Sequence, residues 1–204
     1  MVGTASERLG KPDERGWVMA ESDRIRWDQR YSGEEEALSS SPPWIEDFDG
    51  QIPRNGPALD IAAGSGRLSL WLASRGLTVT AVDISAVGLQ LARCSAELRE
   101  LTIETVVSDL ETEPLPQGVF QVITCFRYWQ PELFPAIKAR LNHGGLLLAE
   151  VATKQNLEMH DRPSSRYLAE PEALRKICRP MEVVYYQEGW IGDWASARIV
   201  ARKV

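Results

Sequence analysis

The sequence predicts an α/β fold: a mostly parallel sheet of seven strands with helices on both faces, closed by a C-terminal antiparallel hairpin. Three observations carry this. Apolar, β-rich runs alternate with helix-period segments from residue 58 to residue 151. The stretch 58–83, ALDIAAGSGRLSLWLASRGLTVTAVD, reads as strand, glycine turn, helix, second strand and terminal acid. Two further β-rich runs, 181–189 and 194–203, are joined through Gly192-Asp193 as a late hairpin.

Each element follows from local chemistry. Residues 1–20 lack the apolar run of a secretory signal and read as a flexible tail before a single domain, 21–204. A short helix is expected over 21–31, with Ile25, Trp27 and Tyr31 as its less polar positions. Residues 33–41, acidic and then serine-rich, form a loop, and Pro42-Pro43 opens a short helix reaching Phe48. The first strand is 58–62 and Gly64-Ser65-Gly66 is the turn. Leu68, Leu70, Trp71 and Leu72 give 67–75 its helical period, and Gly76 stops it. The β-branched run 77–82 ends at Asp83. Ser85 caps a helix over 86–100 with Val87, Leu91, Ala92 and Leu98 on its apolar face. Strands follow at 102–107 and 119–125, separated by a loop containing Pro114 and Pro116. A helix over 131–141, a stop and turn at 142–145, a strand at 146–151 and a short helix over 170–178 complete the order.

Composition narrows the function. The 204 residues fit one domain with a full core, and 44% hydrophobic with 25% charged residues is ordinary for a globular chain. A net charge of −6 gives no electrostatic footprint for nucleic acid. No apolar run approaches membrane-spanning length. Cys94, Cys125 and Cys178 are widely spaced, as expected of reduced thiols in the cytoplasm. With His143 and His160 as the two histidines, no metal site is expected.

The glycine turn and its acids point to a nucleotide. Glycine lets the backbone approach a ligand at the strand end, and an acid ending the second strand suits ribose hydroxyls. A dinucleotide fingerprint would have a third glycine where Ser69 stands. It would also have a wholly apolar first strand, whereas Asp60 lies in this one and would repel a pyrophosphate. An acid there suits a cationic, amino-acid-bearing ligand, and S-adenosylmethionine (SAM) has ribose hydroxyls, an α-ammonium and a sulfonium.

The segment DIAAGSGRLSLWLA resembles motif I of class I SAM-dependent methyltransferases, and TVTAVDIS resembles their motif II. The resemblance implies a Rossmann-like fold whose last strand runs antiparallel. It implies that Gly64 and Gly66, with Ala62, approach the methionine part, with Asp60 near its ammonium. Asp83 would then hold the ribose, Ile84 and Leu110 would lie by the adenine, and Asp109 would meet the exocyclic amine or simply cap its loop. Cys125 and Phe126 stand at the end of the fourth strand. Cys125 reads as a small buried residue. Trp27 and Tyr31, four apart on one helix face, fit either a lid over the cofactor or plain packing.

DRIRWDQRYS (23–32), FQVITCFRYWQPELFPAIKARLNHGGLLLAEV (120–151) and RPSSRYLAEPEAL (162–174) resemble the TehB-like, tellurite-resistance branch of this family. That resemblance implies a small-molecule acceptor with a soft nucleophile, such as tellurite, selenite or a thiol. Arg127, His160, Arg162 and Arg166 are the candidate cationic pocket, with His160 as a general base near neutral pH; solvated loop residues are the alternative for His160, Arg162 and Arg166. Tyr128 and Trp129 either line that pocket or pack beneath the next helix. A non-catalytic SAM-binding regulator and an NAD(P)-dependent oxidoreductase are the competing functions, and monomer and homodimer both remain open.

Overall fold

The computed structural model describes residues 14–33, 42–161 and 163–204, with side chains described from residue 21 onward. Seven strands form one sheet in the order β3-β2-β1-β4-β5-β7-β6. They are β1 (Pro57–Ile61), β2 (Thr78–Asp83), β3 (Ile103–Val107), β4 (Phe120–Phe126), β5 (Leu141–Ala152), β6 (Glu182–Ile191) and β7 (Trp194–Arg202). The first five run parallel, and β7 inserts antiparallel between β5 and β6.

The period-2 alternation of the strands divides the core into two layers. On one face Leu59, Ile61, Ile123, Cys125, Leu147 and Ala149 pack with Phe134 and Ile137 of α5 (Phe134–Arg140) and Leu174 of α6 (Ala173–Ile177). On the other, Ala58, Val122, Leu146 and Leu148 pack with Trp44 and Ile45 of α2 (Pro43–Glu46) and with Leu68, Trp71 and Leu72 of α3 (Arg67–Ala73). Next to α3 lies α4 (Ala86–Glu97), capped as expected: the Ser85 Oγ accepts from the Gly88 N–H at 3.0 Å.

Three elements differ from the sequence expectation. Helix α1 (Glu14–Tyr31) starts before residue 21, so the proposed tail narrows to residues 1–13, which lie outside the described residues. Apart from Gly16, residues 14–20 contain no helix breaker, and they are mostly ordinary or good helix formers. The expected helix over 131–141 is a 3-10 turn at Pro131–Leu133 followed by α5, with Pro135 admitted in its first turn. Residues 142–145, expected as a turn, belong to β5. They bulge out of register with β4, where Phe120 faces Leu141 and Val122 already faces Leu146. They are held instead by the chain end, since the Gly144 N–H donates to Lys203 O (2.8 Å) and the Lys203 N–H to Gly145 O (2.9 Å). The loop expected at 33–41 falls mostly outside the described residues.

Candidate active site

The topological switch of the sheet lies where β1 borders both β2 and β4, and the crevice beyond those strand ends is where such sheets bind ligands. The chain leaves β1 through Ala62, whose φ of +54° is left-handed although the residue is not glycine. Arg127, at the end of neighbouring β4, is also left-handed at φ +57°. Such backbone costs about 1–2 kcal/mol per residue, and it sits here on both walls of one crevice. The Ala63 N–H donates to Val82 O (3.0 Å) and the Gly66 N–H to Ala63 O (2.9 Å), closing the turn against β2.

Gly64 and Gly66 are required for different reasons. At Gly64 (φ +56°) an added Cβ would come within 2.4 Å of the Tyr31 hydroxyl. At Gly66 (φ +86°) it would meet the Ala92 Cβ at 2.4 Å. Gly66 therefore permits α3 to pack on α4.

Asp83, buried at the end of β2, is the polar centre of the crevice. One carboxylate oxygen accepts the Gly64 N–H and the other the Ser85 N–H, each at 2.8 Å. Burial raises its pKa, and these backbone donors act against that rise. Ile84 beside it is half-buried.

Asp60 is 2% exposed and lies beneath the turn. Its oxygens take the Ser69 hydroxyl (2.6 Å) and the Thr124 hydroxyl (2.7 Å), tying the head of α3 to β4. Burial pushes its carboxyl up to about 6 despite these bonds. Asp60 thus braces the turn from below. Cys125, 1% exposed, is likewise a core residue, its thiol pushed up to about 12 by burial.

Asp109 is half-buried and caps its own loop, accepting the Glu111 N–H (3.0 Å) and the Thr112 hydroxyl (2.9 Å). Leu110 is buried in the core, and its carbonyl accepts from the Gln130 amide at 3.0 Å. Phe126 turns to the α2 face and stacks on Trp44, ring centres 5.6 Å apart.

Helix α1 lies across the crevice. Trp27 stacks on Tyr31 at 5.9 Å, and Tyr31 also closes on Gly88, where an added Cβ would reach its ring at 2.9 Å. Asp28 accepts the Ser85 hydroxyl at 2.6 Å, fastening α1 to the start of α4. A second fastening comes from the segment after β5. The Tyr167 hydroxyl donates to Asp23 (2.8 Å), and Arg166 pairs with Asp23 (3.4 Å) and with Glu111 (2.9 Å).

Comparison with known proteins agrees with this geometry. A methyltransferase-domain family model matches residues 58–145. A methyltransferase-named protein of Geobacillus sp. (strain WCH70) is 29% identical over 141 residues, 64% of this chain and 56% of its own length. The ubiquinone biosynthesis O-methyltransferase of Coxiella burnetii is 34% identical over 86 residues, 42% of this chain and 37% of that protein. The crystal structure of TehB from Haemophilus influenzae superposes with a TM-score of 0.71 at 20% identity, covering 87% of this chain and 67% of that one. The sequence match thus lies in the segment that holds the glycine turn and Asp83, and the fold is that of SAM-dependent methyltransferases of known structure. The chain is TehB-like in fold, and it spans about half the length of the Geobacillus relative, 56%. With the domain so placed and β7 antiparallel, the nicotinamide oxidoreductase reading falls away.

The expected cationic pocket does not assemble as one group. Arg127 alone stands at the β4 end. His160 is held at the β6–β7 hairpin, its ring stacked on Trp194 at 4.6 Å and its Nε2 2.7 Å from Asp193 O. Arg166 is engaged in the α1 fastening, and Arg162 lies outside the described residues. Tyr128 and Trp129 do line a cavity of about 500 Å³, and Arg166 of the expected pocket lines it with them, beside Glu111, Gln130, Glu132 and Tyr167. Burial, and then Glu111, raise the Tyr128 pKa, and its hydroxyl donates to Gln130 at 2.5 Å.

Several residues of the site escaped the sequence reading. Asp28 precedes Tyr31 by one helical turn inside WDQRY, so its shared face was legible. Glu150 was not: it joins Trp44 (2.7 Å) and Arg198 (2.8 Å) across more than forty residues of sequence in each case. Arg67, first residue of α3, is half-buried and held below its ordinary pKa by burial and by the nearby Arg127 charge.

Proposed function

We propose that this chain transfers the methyl group of SAM to a small-molecule acceptor, with soft nucleophiles such as tellurite, selenite and thiols as first candidates. One observation carries the reading: a buried Asp83 carboxylate held by the Gly64 and Ser85 N–H groups at the topological switch of the sheet. The two oxygens have accepting capacity left for a ribose diol, and glycine at positions 64 and 88 adds no side chain of its own to the adjoining wall, on which the Tyr31 ring rests.

In this reading Asp83 orients the ribose, Ile84 and Leu110 lie by the adenine, and Asp109 stands near its exocyclic amine. The Gly64–Gly66 backbone borders the methionine part. SAM supplies an electrophilic methyl on a good leaving group, so the protein's contribution is alignment and exclusion of water. Helix α1 serves as the lid. Tyr31 now rests on Gly64 and Gly88, so α1 shifts for the cofactor to enter, and the Asp28–Ser85 and Asp23–Tyr167 bonds set how firmly it closes. The cavity at Tyr128 and Trp129 receives the body of the acceptor. Likeness to TehB supports tellurite as the first compound to try.

The test is a methylation assay with purified protein, SAM and a panel of tellurite, selenite, thiols and phenols, reading S-adenosylhomocysteine formation. Turnover of any member above the acceptor-free rate is expected. Cofactor binding without turnover across the whole panel would favour the regulator instead.

A further inference from the structure

The cavity of about 500 Å³ at Tyr128 and Trp129 takes its walls from three segments. The loop after β3 gives Glu111, the chain leaving β4 gives Tyr128, Trp129 and Glu132, and the segment after β5 gives Arg166 and Tyr167. Three aromatic side chains therefore share this space with two carboxylates and one guanidinium.

The donors of the wall are already turned to acceptors within the protein. The Tyr128 hydroxyl donates to Gln130 (2.5 Å) and the Tyr167 hydroxyl to Asp23 (2.8 Å). Arg166 donates to Glu111 at 2.9 Å, pairs with Asp23 at 3.4 Å and lies over the Tyr167 ring at 4.4 Å. Its single positive charge is thus set against two acids. An entering oxyanion would have to take these donors from their partners and would meet like charge.

The acceptors stand differently. Glu132 is exposed and has no hydrogen bond or ion pair among the described residues. Glu111 meets Arg166 through one carboxylate oxygen. Asp109 and Asp83 lie near enough to act on Tyr128 as further negative charges. The negative π-faces of aromatic rings attract a cation, most strongly where water is excluded. Rings, an unpaired carboxylate and an acidic surround all favour the same sign of ligand.

We propose that this cavity is a cation site, and that the molecule filling it carries an ammonium group received by Glu132 and Glu111 beside the rings of Tyr128, Trp129 and Tyr167. The role of that molecule as methyl acceptor rests on the small-molecule methyltransferase reading above; its charge rests on the cavity alone. Among soft nucleophiles, a thiol bearing an ammonium group then ranks ahead of selenite and tellurite, which the same carboxylates repel.

The experiment titrates choline, its uncharged isostere 3,3-dimethylbutan-1-ol, and selenite into the full chain, without nucleoside and again with saturating S-adenosylhomocysteine. Nuclear magnetic resonance reads the Trp129 indole N–H and the backbone amides of 128–132. Choline should move these signals and bind roughly tenfold more tightly than the isostere. Glu132→Gln should weaken choline by roughly threefold and leave the isostere unchanged. Added salt should weaken choline alone, which gives the same answer without a variant. Equal binding of choline and the isostere, tighter binding of selenite at these residues, no choline binding in either condition, or choline binding indifferent to both Glu132→Gln and salt would overturn the cation site. Failure of S-adenosylhomocysteine to bind would defeat the SAM reading instead, and the nucleoside-free titrations would still decide the charge of the ligand.

Discussion

Replacing Asp60 by Asn should make the domain more stable at neutral pH, by an amount that vanishes in acid. Asp60 ionises near 3.8 when solvated, and burial pushes it up to about 6 in the folded protein. The folded state therefore holds this proton more tightly than the unfolded chain. The stability conferred by that tighter hold is fully present below about pH 4 and is lost as pH rises through about 6. The displacement corresponds to about 3 kcal/mol of penalty for the ionised form above that pH. Asn keeps the shape, and its amide can serve the Ser69 and Thr124 hydroxyls that now bond to the carboxylate. Urea and thermal denaturation followed by circular dichroism from pH 4.5 to 8 would read the difference between variant and wild type. It should grow with pH toward about 3 kcal/mol, or on the order of 5–10 °C in melting temperature. An Asn variant less stable than wild type by the same margin at every pH would refute the reasoning, showing that the charged bonds outweigh the burial cost.

Gly66→Ala should lower stability by more than about 2 kcal/mol in denaturant titration, because the new Cβ meets Ala92 at 2.4 Å and the φ of +86° is unfavourable for alanine. A neutral result would mean that α3 and α4 separate freely. Ala62→Gly should stabilise by about 1 kcal/mol by relieving its left-handed backbone, as measured in the same titration. Asp28→Ala should leave the melting temperature nearly unchanged while hydrogen exchange in α1 accelerates, because the bond to Ser85 fastens the helix and not the sheet. Unaltered exchange in α1 would remove that bond from the fastening.

The sheet was legible because its determinants are local. Strand periods, the Gly64–Gly66 turn, Ser85 as cap and the hairpin through Gly192 each depend on neighbours within a few residues. What escaped depends on partners far apart in sequence. Residues 142–145 look like a free turn until Lys203 is seen to pair with them. The brace at Asp60 depends on Ser69 and Thr124, which nothing local announces as its donors. The position of Asp83 could be read from its distance to the glycines, but the Gly64 bond that fixes it required the fold. His160 was grouped with Arg127 by chemistry alone, and the hairpin carrying Trp194 holds it elsewhere.

The central claim is that Asp83 and the glycine turn form a SAM site. It is tested most directly by titrating S-adenosylhomocysteine into wild type and Asp83→Ala by calorimetry, with NADH as the control and folding checked for both proteins. The account predicts micromolar binding to the wild type, no binding of NADH, and a loss of roughly a hundredfold in the variant, which removes a charged partner for two hydroxyls. Equal affinity in the folded variant, or no S-adenosylhomocysteine binding by the folded wild type, would contradict it.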